Sequence, residues 1–252
     1  MNNPTPINLD QAKTCVFTDL GMVDVPTAEA FMTRAVELRL KKDIPDLLLF
    51  LSHPPTVALG LKDRCVETPV DLLVSRAQLD MEGILFARSV RGGGITYHWP
   101  GQVICYPVLT LPPGYRDVPA YMSKLEEIGL KTLREFGIRA ERRRDTASYV
   151  GLWIGNKKII SMGVRITNWT TSFGFALNLQ GDHSPSCYIK PCGIDGVCFT
   201  TMEELLGEAP PRFRVIESLK KNFSSVFEYA LKTMPAGMLE SVCKLNQNKI
   251  EG

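Results

Sequence analysis

No apolar run in this 252-residue chain approaches the roughly 20 residues that a membrane-crossing helix requires. The opening stretch "MNNPTPINLDQAK" is too polar to act as a secretory signal. Histidine is scarce, with three in the chain and none at a ligand spacing, so a structural zinc site is not expected. The seven cysteines include no C-x-x-C pair, which points to reduced thiols rather than a disulfide framework. A net charge of +2 argues for neither a nucleic-acid partner nor a membrane surface. The expected location is cytoplasmic, or an organelle matrix after removal of a leader. Internal repeats, low-complexity segments and a regular βαβαβ alternation are all missing, which disfavours a dinucleotide-binding fold.

The composition, 44% hydrophobic and 22% charged, is that of a globular protein long enough for one large domain. We read residues 1–252 as a single domain with a helical C-terminal portion from about 200. "CVFTDLG" reads as a first strand, and Pro26 opens a helix over "PTAEAFMTRAVELRLKK". "DLLLFLSH" is a buried-strand candidate stopped by Pro54 and Pro55, with "TVALG" extended after it. "TPVDLLVSRAQLDMEG" has a helical pattern begun by Thr68 and Pro69 and ended at Gly83. The middle of the chain is rich in strands: "LFARSV", "ITYH", "QVICYPVLTL", "IRAERR", "SYVGLWIG", "KKIISMGVRIT" and "TSFGFALNL". A helix from Asp117 to Gly137 interrupts them. Thr200 and Glu203 suggest a capping box before a last helix over "FRVIESLKKNFSSVFEYALK". Strands grouped in the middle with helices around them predict α+β, a mixed or antiparallel central sheet flanked by helices.

Four stretches carry residue types that can do chemistry. "RGGGITYHWPGQ", Arg91 to Gln102, lies between two apolar runs, so three adjacent glycines bring bare backbone to a surface that Arg91 and His98 can close. It has neither phosphate-loop nor Rossmann spacing, and a glycine-rich bend is its plainer reading. Lys157 and Lys158 follow a Gly-Asn turn; strand alternation turns one of them inward, unless both are solvated edge residues. In "YIKPCGIDGVC", Cys192 stands in a Pro-Cys-Gly turn that can present a thiolate, and the other six cysteines read as small buried hydrophobes. The run "RAERRR", Arg139 to Arg144, suits an acidic partner or a solvated face.

Taken together and in this order, the stretches resemble the octanoyltransferase, or lipoyl(octanoyl) transferase, family of lipoate biosynthesis. That family has an RGGxxTYHGPGQ stretch, a later K-I-x-x-(I/L)-G, an H-G-(F/L)-A-L-N and a P-C-G. Here they read "RGGGITYHWPGQ", "KIISMG", "FGFALN" and "PCGI", with "HPPTVALG" upstream. The resemblance spans about residues 45 to 200. It implies the catalytic-domain fold shared with biotin protein ligases and lipoate ligases. The implied reaction moves octanoyl from octanoyl-acyl carrier protein to a lysine on a lipoyl domain, that of a 2-oxoacid dehydrogenase complex or the glycine cleavage H protein, and because a thioester donor is already activated it implies no ATP, metal or other cofactor. By position it makes Cys192 the nucleophile and Lys158 the residue that activates it. The implied substrate pocket consists of Arg91, Gly92, Gly93, Gly94, Ile95, Thr96, Tyr97, His98, Ser161, Met162, Gly163, Gly174, Phe175 and Ala176.

Backbone N–H groups of Gly92, Gly93 or Gly193 are candidates to stabilise an oxyanion. Two positions depart from the family pattern: Trp99 stands at a glycine position, where it would fill or reshape the site, and Phe173 at a histidine position, where it removes a polar group near the pocket. Three rivals stay open: an ATP-dependent lipoate- or biotin-type ligase, a non-catalytic acyl- or carrier-binding homologue, and a thiol hydrolase using His98.

Overall fold

The computed structural model describes residues 13–235 apart from 64, 68, 144–148 and 194–195, and the side chain of Cys192 also falls outside the described part. The central sheet begins with β1 (Lys13–Met22), β2 (Asp46–Ser52) and β6 (Gln102–Val108). β7 (Glu141–Arg142), β8 (Leu152–Ile154), β9 (Lys157–Thr167) and β10 (Thr170–Asn178) continue it, and β12 (Tyr229–Thr233) completes one edge. Their order is β12-β1-β2-β6-β10-β9-β8-β7, and the two-residue β11 (Cys198–Phe199) adds to β9. β1 runs parallel to both β12 and β2, whereas β2, β6, β10, β9 and β8 pair antiparallel. A second sheet, β4-β3-β5, consists of β3 (Thr56–Leu59), β4 (Leu85–Arg88) and β5 (Ile95–His98). The mixed sheet flanked by helices is the α+β arrangement expected.

Every residue of β2 and β6 is buried because both faces of the central sheet are covered. Leu48 and Phe50 face one core cluster, which α3 (Val118–Glu135) and α5 (Arg212–Phe227) cover. Leu47, Leu49 and Leu51 face the other, under α1 (Val25–Leu40). The strand therefore reads as a continuous apolar run with no polar alternation. Asp24 and Asp117 cap α1 and α3 by accepting from Thr27 N and Ala120 N, each at 2.9 Å, and the hydrogen bonds from Thr27 hold the Asp24 carboxyl below its ordinary value.

Four local expectations need correction. The helix expected over residues 68–83 is confined to α2 (Arg76–Met81), whose N-cap Ser75 accepts from Gln78 N at 3.2 Å. Thr68 lies outside the described residues; from Pro69 to Leu73 the chain instead docks on residues 188–190, through Leu73 N to Tyr188 O and Lys190 N to Asp71 O, each 2.8 Å. The capping interaction near residue 200 is shifted by one: Thr201 Oγ1 accepts from Glu204 N at 3.1 Å and starts α4 (Met202–Leu206). "IRAERR" contributes only Glu141 and Arg142 to a strand. The C-terminal portion is not purely helical, because α5 ends at Phe227 and "YALKT" forms β12 beside β1. Glu228 makes that switch in the left-handed region (φ 60) while the Tyr229 hydroxyl bonds to the buried Asp46 carboxylate.

Glu228 is exposed and pays the cost of a left-handed conformation that glycine adopts freely. Glu228→Gly is expected to stabilise the fold by about 0.5–1 kcal/mol, read as a raised denaturant midpoint with unchanged slope.

Candidate active site

Sheet geometry brings most of the nominated residues to one narrow cavity of about 60 Å³. β5 supplies Ile95, Thr96 and His98; β6 supplies Tyr106; β9 supplies Lys158 and Ser161 to Gly163; β10 supplies Gly174 to Ala176. Arg91, Gly93 and Gly94 close it on one side, and Pro191 on another. Of the nominated residues that are fully described, Gly92 and Tyr97 stand outside this lining. Tyr97 points to the opposite face of β5, where it stacks on Trp99 with ring centres 5.7 Å apart, because neighbouring strand residues alternate. Burial there pushes its phenol up to about 12. Tyr106 is a lining residue that sequence reasoning missed, since a polar-tipped aromatic in "VICYPV" looks like any core residue.

The glycine stretch is shaped first by its own backbone. Gly92 N donates to Val164 O at 3.1 Å, and a Cβ on Gly92 would lie 2.6 Å from that oxygen. The opposite chain adapts too, for a Cβ on Gly163 would lie 2.8 Å from Gly92 O. Gly60 N, Leu61 N and Lys62 N donate to Gly94 O, Arg91 O and Gly93 O respectively, at 2.9–3.1 Å. Arg91 is buried and its guanidinium reaches Ala58 O at 2.8 Å and Gly92 O at 3.1 Å. The amides of Gly92 and Gly193 are both committed, the latter to Lys190 O at 3.0 Å, so two of the three expected oxyanion donors are already engaged.

Lys157 is exposed and Lys158 is 1% exposed, as alternation along β9 requires. The Lys158 ammonium lies 4.6 Å from the Trp153 ring centre, a cation–π contact that offsets part of the cost of burying it. Its carbonyl accepts from Asn178 Nδ2 and Thr200 N, each at 3.1 Å. The catalytic candidate Cys192 has its backbone in a 3-10 turn, Pro191–Gly193, and its side chain lies outside the described residues. Beside that turn are two groups the sequence did not single out. A Cβ on Gly193 would meet Asp71 Oδ2 at 3.4 Å and Lys62 Nζ at 3.7 Å. The usable signal was Ser75-x-x-Gln78, which starts the helix late and frees Asp71 for the turn.

The other cysteines divide by environment. Cys15 and Cys105 are buried, and desolvation raises both thiols, so they are poor nucleophiles. Cys65, Cys187 and Cys198 are exposed, contrary to expectation, because they fall in turns and on a short edge strand, whereas Cys243 lies outside the described residues. The basic run is largely engaged within the chain. Arg142 pairs with Glu126 at 3.0 Å and Glu127 at 2.8 Å, and Arg143 stacks 4.0 Å from the Tyr149 ring centre; Arg144 lies outside the described residues.

Neither departure reaches the cavity. Trp99 is buried behind β5, stacked between Tyr97 and Phe199, with Nε1 donating to Gln180 O at 2.7 Å. Phe173 packs edge-on against Tyr106 with ring centres 5.7 Å apart, at a left-handed φ of 58.

The comparisons agree with this geometry. Residues 24–224 match the lipoyl protein ligase A/B catalytic domain model. The chain is 32% identical over 211 residues to the octanoyltransferase of Desulforamulus reducens, covering 83% of this chain and 90% of that one. It is 35% identical over 219 residues to that of Chloroflexus aggregans, covering 86% and 96%. It belongs to the octanoyltransferase family. Among solved structures, lipoate-protein ligase A bound with ATP superposes with a TM-score of 0.74 at 16% identity, covering 92% of this chain and 93% of that one. Biotin protein ligase from Aquifex aeolicus, in complex with biotin and ATP, gives 0.52 at 14%, covering 86% and 71%. At those identities the likeness is one of fold, and it is the fold expected.

Burial holds His53 below its ordinary value of 6.5 and His98 well below it. Both rings must stay neutral in the folded chain but charge freely when it unfolds, so unfolding takes up protons below about 6.5. Stability from this source is complete above 6.5 and declines as pH falls beneath it. Melting curves between pH 7.5 and 5 should show that decline, and His98→Gln should make it shallower.

Proposed function

We propose that this protein transfers an octanoyl group from octanoyl-acyl carrier protein to a lysine of a lipoyl domain, through a thioester on Cys192. The acceptors would be lipoyl domains of 2-oxoacid dehydrogenase complexes or the glycine cleavage H protein, and the place of action the cytoplasm. The observation that supports this reading most is Lys158, a buried lysine lining the same slot as the "RGGG" loop, the "SMG" and "GFA" strand segments and the first residue of the Pro-Cys-Gly turn. No described helix is long and apolar enough to cross a membrane.

The chemistry follows from the donor. A thioester is already activated, so the Cys192 thiolate exchanges with it at little change in free energy and no nucleotide is needed. An ammonium on Lys158 favours that thiolate and protonates the departing thiol. The incoming lysine then attacks the acyl-enzyme, neutral Lys158 takes back a proton, and the amide product, more stable than the thioester, drives the step. With the Gly92 and Gly193 amides committed, Gly93 N–H and the Lys158 ammonium are the donors we assign to the oxyanion.

Intact-protein mass spectrometry after mixing with octanoyl-acyl carrier protein should show one octanoyl adduct. Cys192→Ala should abolish it, and Lys158→Ala should slow its formation by about 100-fold or more. An adduct that persists in Cys192→Ala would overturn the mechanism. Formation of octanoyl-AMP from ATP and free octanoate would replace it with a ligase.

A further inference from the structure

Two buried side-chain amides link the histidine of the slot to the strand that carries Lys158. His98 Nδ1 lies 2.8 Å from Gln102 Oε1, Gln102 Nε2 lies 3.0 Å from Asn178 Oδ1, and Asn178 Nδ2 lies 3.1 Å from both Lys158 O and Thr200 O. All three side chains are buried, with Gln102 at 1% and Asn178 at 0% exposure. The direction of every bond is set from the far end. Backbone carbonyls only accept, so Asn178 must present its amide nitrogen to Lys158 and Thr200 and its oxygen to Gln102. Gln102 then donates to Asn178 and turns its own oxygen to His98. That oxygen only accepts, so the imidazole proton is on Nδ1, and Nε2 carries a lone pair.

A second chain has the same logic. Val23 O accepts from His53 Nδ1 at 2.5 Å, which leaves His53 Nε2 to accept from the Tyr106 hydroxyl at 3.3 Å. Tyr106 has thereby used its one proton. His98 and Tyr106 both line the cavity, and each has an acceptor lone pair left to offer. Acceptors have nothing to offer an octanoyl tail, but they suit N–H donors. Burial disfavours a charge on His98, with His53 and Arg91 reinforcing the effect, so the ring stays an acceptor.

We propose that Gln102 and Asn178 are positioning residues that hold His98 in its Nδ1–H form, so that Nε2 accepts a hydrogen bond from the primary amine of the incoming lysine and orients it towards the acyl-enzyme. This rests on the octanoyl-transfer reading above. It adds a division of labour: Lys158 handles protons, whereas His98 aims the nucleophile in the second half-reaction. Because Asn178 bonds to the Lys158 carbonyl as well, the two groups share one anchor.

Nitrogen-15 NMR of histidine-labelled protein reads the tautomer without any substrate. The expected result for the unmodified protein is a protonated Nδ1 and an unprotonated Nε2 on His98. Gln102→Met, which removes the acceptor, should mix the two tautomers. Starting from isolated octanoyl-enzyme and an apo lipoyl domain, it should slow transfer to the lysine by about tenfold, with a much smaller effect on octanoyl-enzyme formation. Gln102→Glu keeps an acceptor for Nδ1–H and should restore the tautomer and most of the transfer rate. Protonation at Nε2 in the unmodified protein overturns the proposal even if Gln102→Met does not fold. So does a tautomer change that leaves transfer unaltered, or an equal loss in both half-reactions that Gln102→Glu does not rescue, which marks a structural role. Absence of any octanoyl-enzyme in the unmodified protein would instead remove the underlying reading, and this proposal with it.

Discussion

A lysine side chain held 1% exposed inside a sheet is the constraint around which the site is organised. Removing it from water is costly, and the surroundings must compensate. β8 brings Trp153 to the amine, Thr200 N just after β11 and the Asn178 side chain of β10 bond to the carbonyl of the same residue, and β9 alternates so that Lys157, one residue earlier, stays in solvent. Lysine burial here is therefore a property of where four strands meet, and it puts a titratable group in a slot only a few side chains wide.

The slot is rigid for a related reason. One wall is a glycine loop whose backbone is bonded to β9 through Gly92 and to the segment after β3 through Gly60, Leu61 and Lys62. Another is the Pro-Cys-Gly turn, tied by Lys190 N to Asp71 O. Main-chain bonds of this kind do not depend on rotamers, so the backbone around the slot is placed by the sheet itself. The amide chain through Gln102 and Asn178 extends the same device to side chains, and its polarity is inherited from two carbonyls that cannot donate.

The two departures from the family pattern illustrate how a sheet tolerates change. Trp99 occupies the back of β5, where it stacks with Tyr97 and Phe199 and bonds to Gln180 O. Phe173 packs edge-on against Tyr106 within the core cluster under α1. Both enlarge the apolar packing behind the cavity and leave the groups facing it in place. Alternation along a strand separates the two faces, so substitutions one residue from the site can fall entirely in the core.

Local pattern and chemistry were enough to read several features directly. The mixed sheet with surrounding helices, the helix starts near Pro26 and Asp117 and the inward turn of one lysine from the pair are written in periodicity and residue type, which act over a few neighbours. The family resemblance carried the rest of the site list, and the sheet gathers nearly all of it. What sequence pattern did not reveal depends on partners distant along the chain. Residues 69–73 have a helical pattern, yet they bond to residues 188–190; "YALKT" continues a helical pattern, yet β1 offers it an open edge. Tyr106, Gln102, Asn178 and Asp71 acquire their roles from contacts that span long stretches of chain, His53 to Tyr106, Gln102 to Asn178 and Asp71 to the turn at Gly193. Periodicity decides which face a residue occupies, whereas only the folded sheet decides what waits on that face.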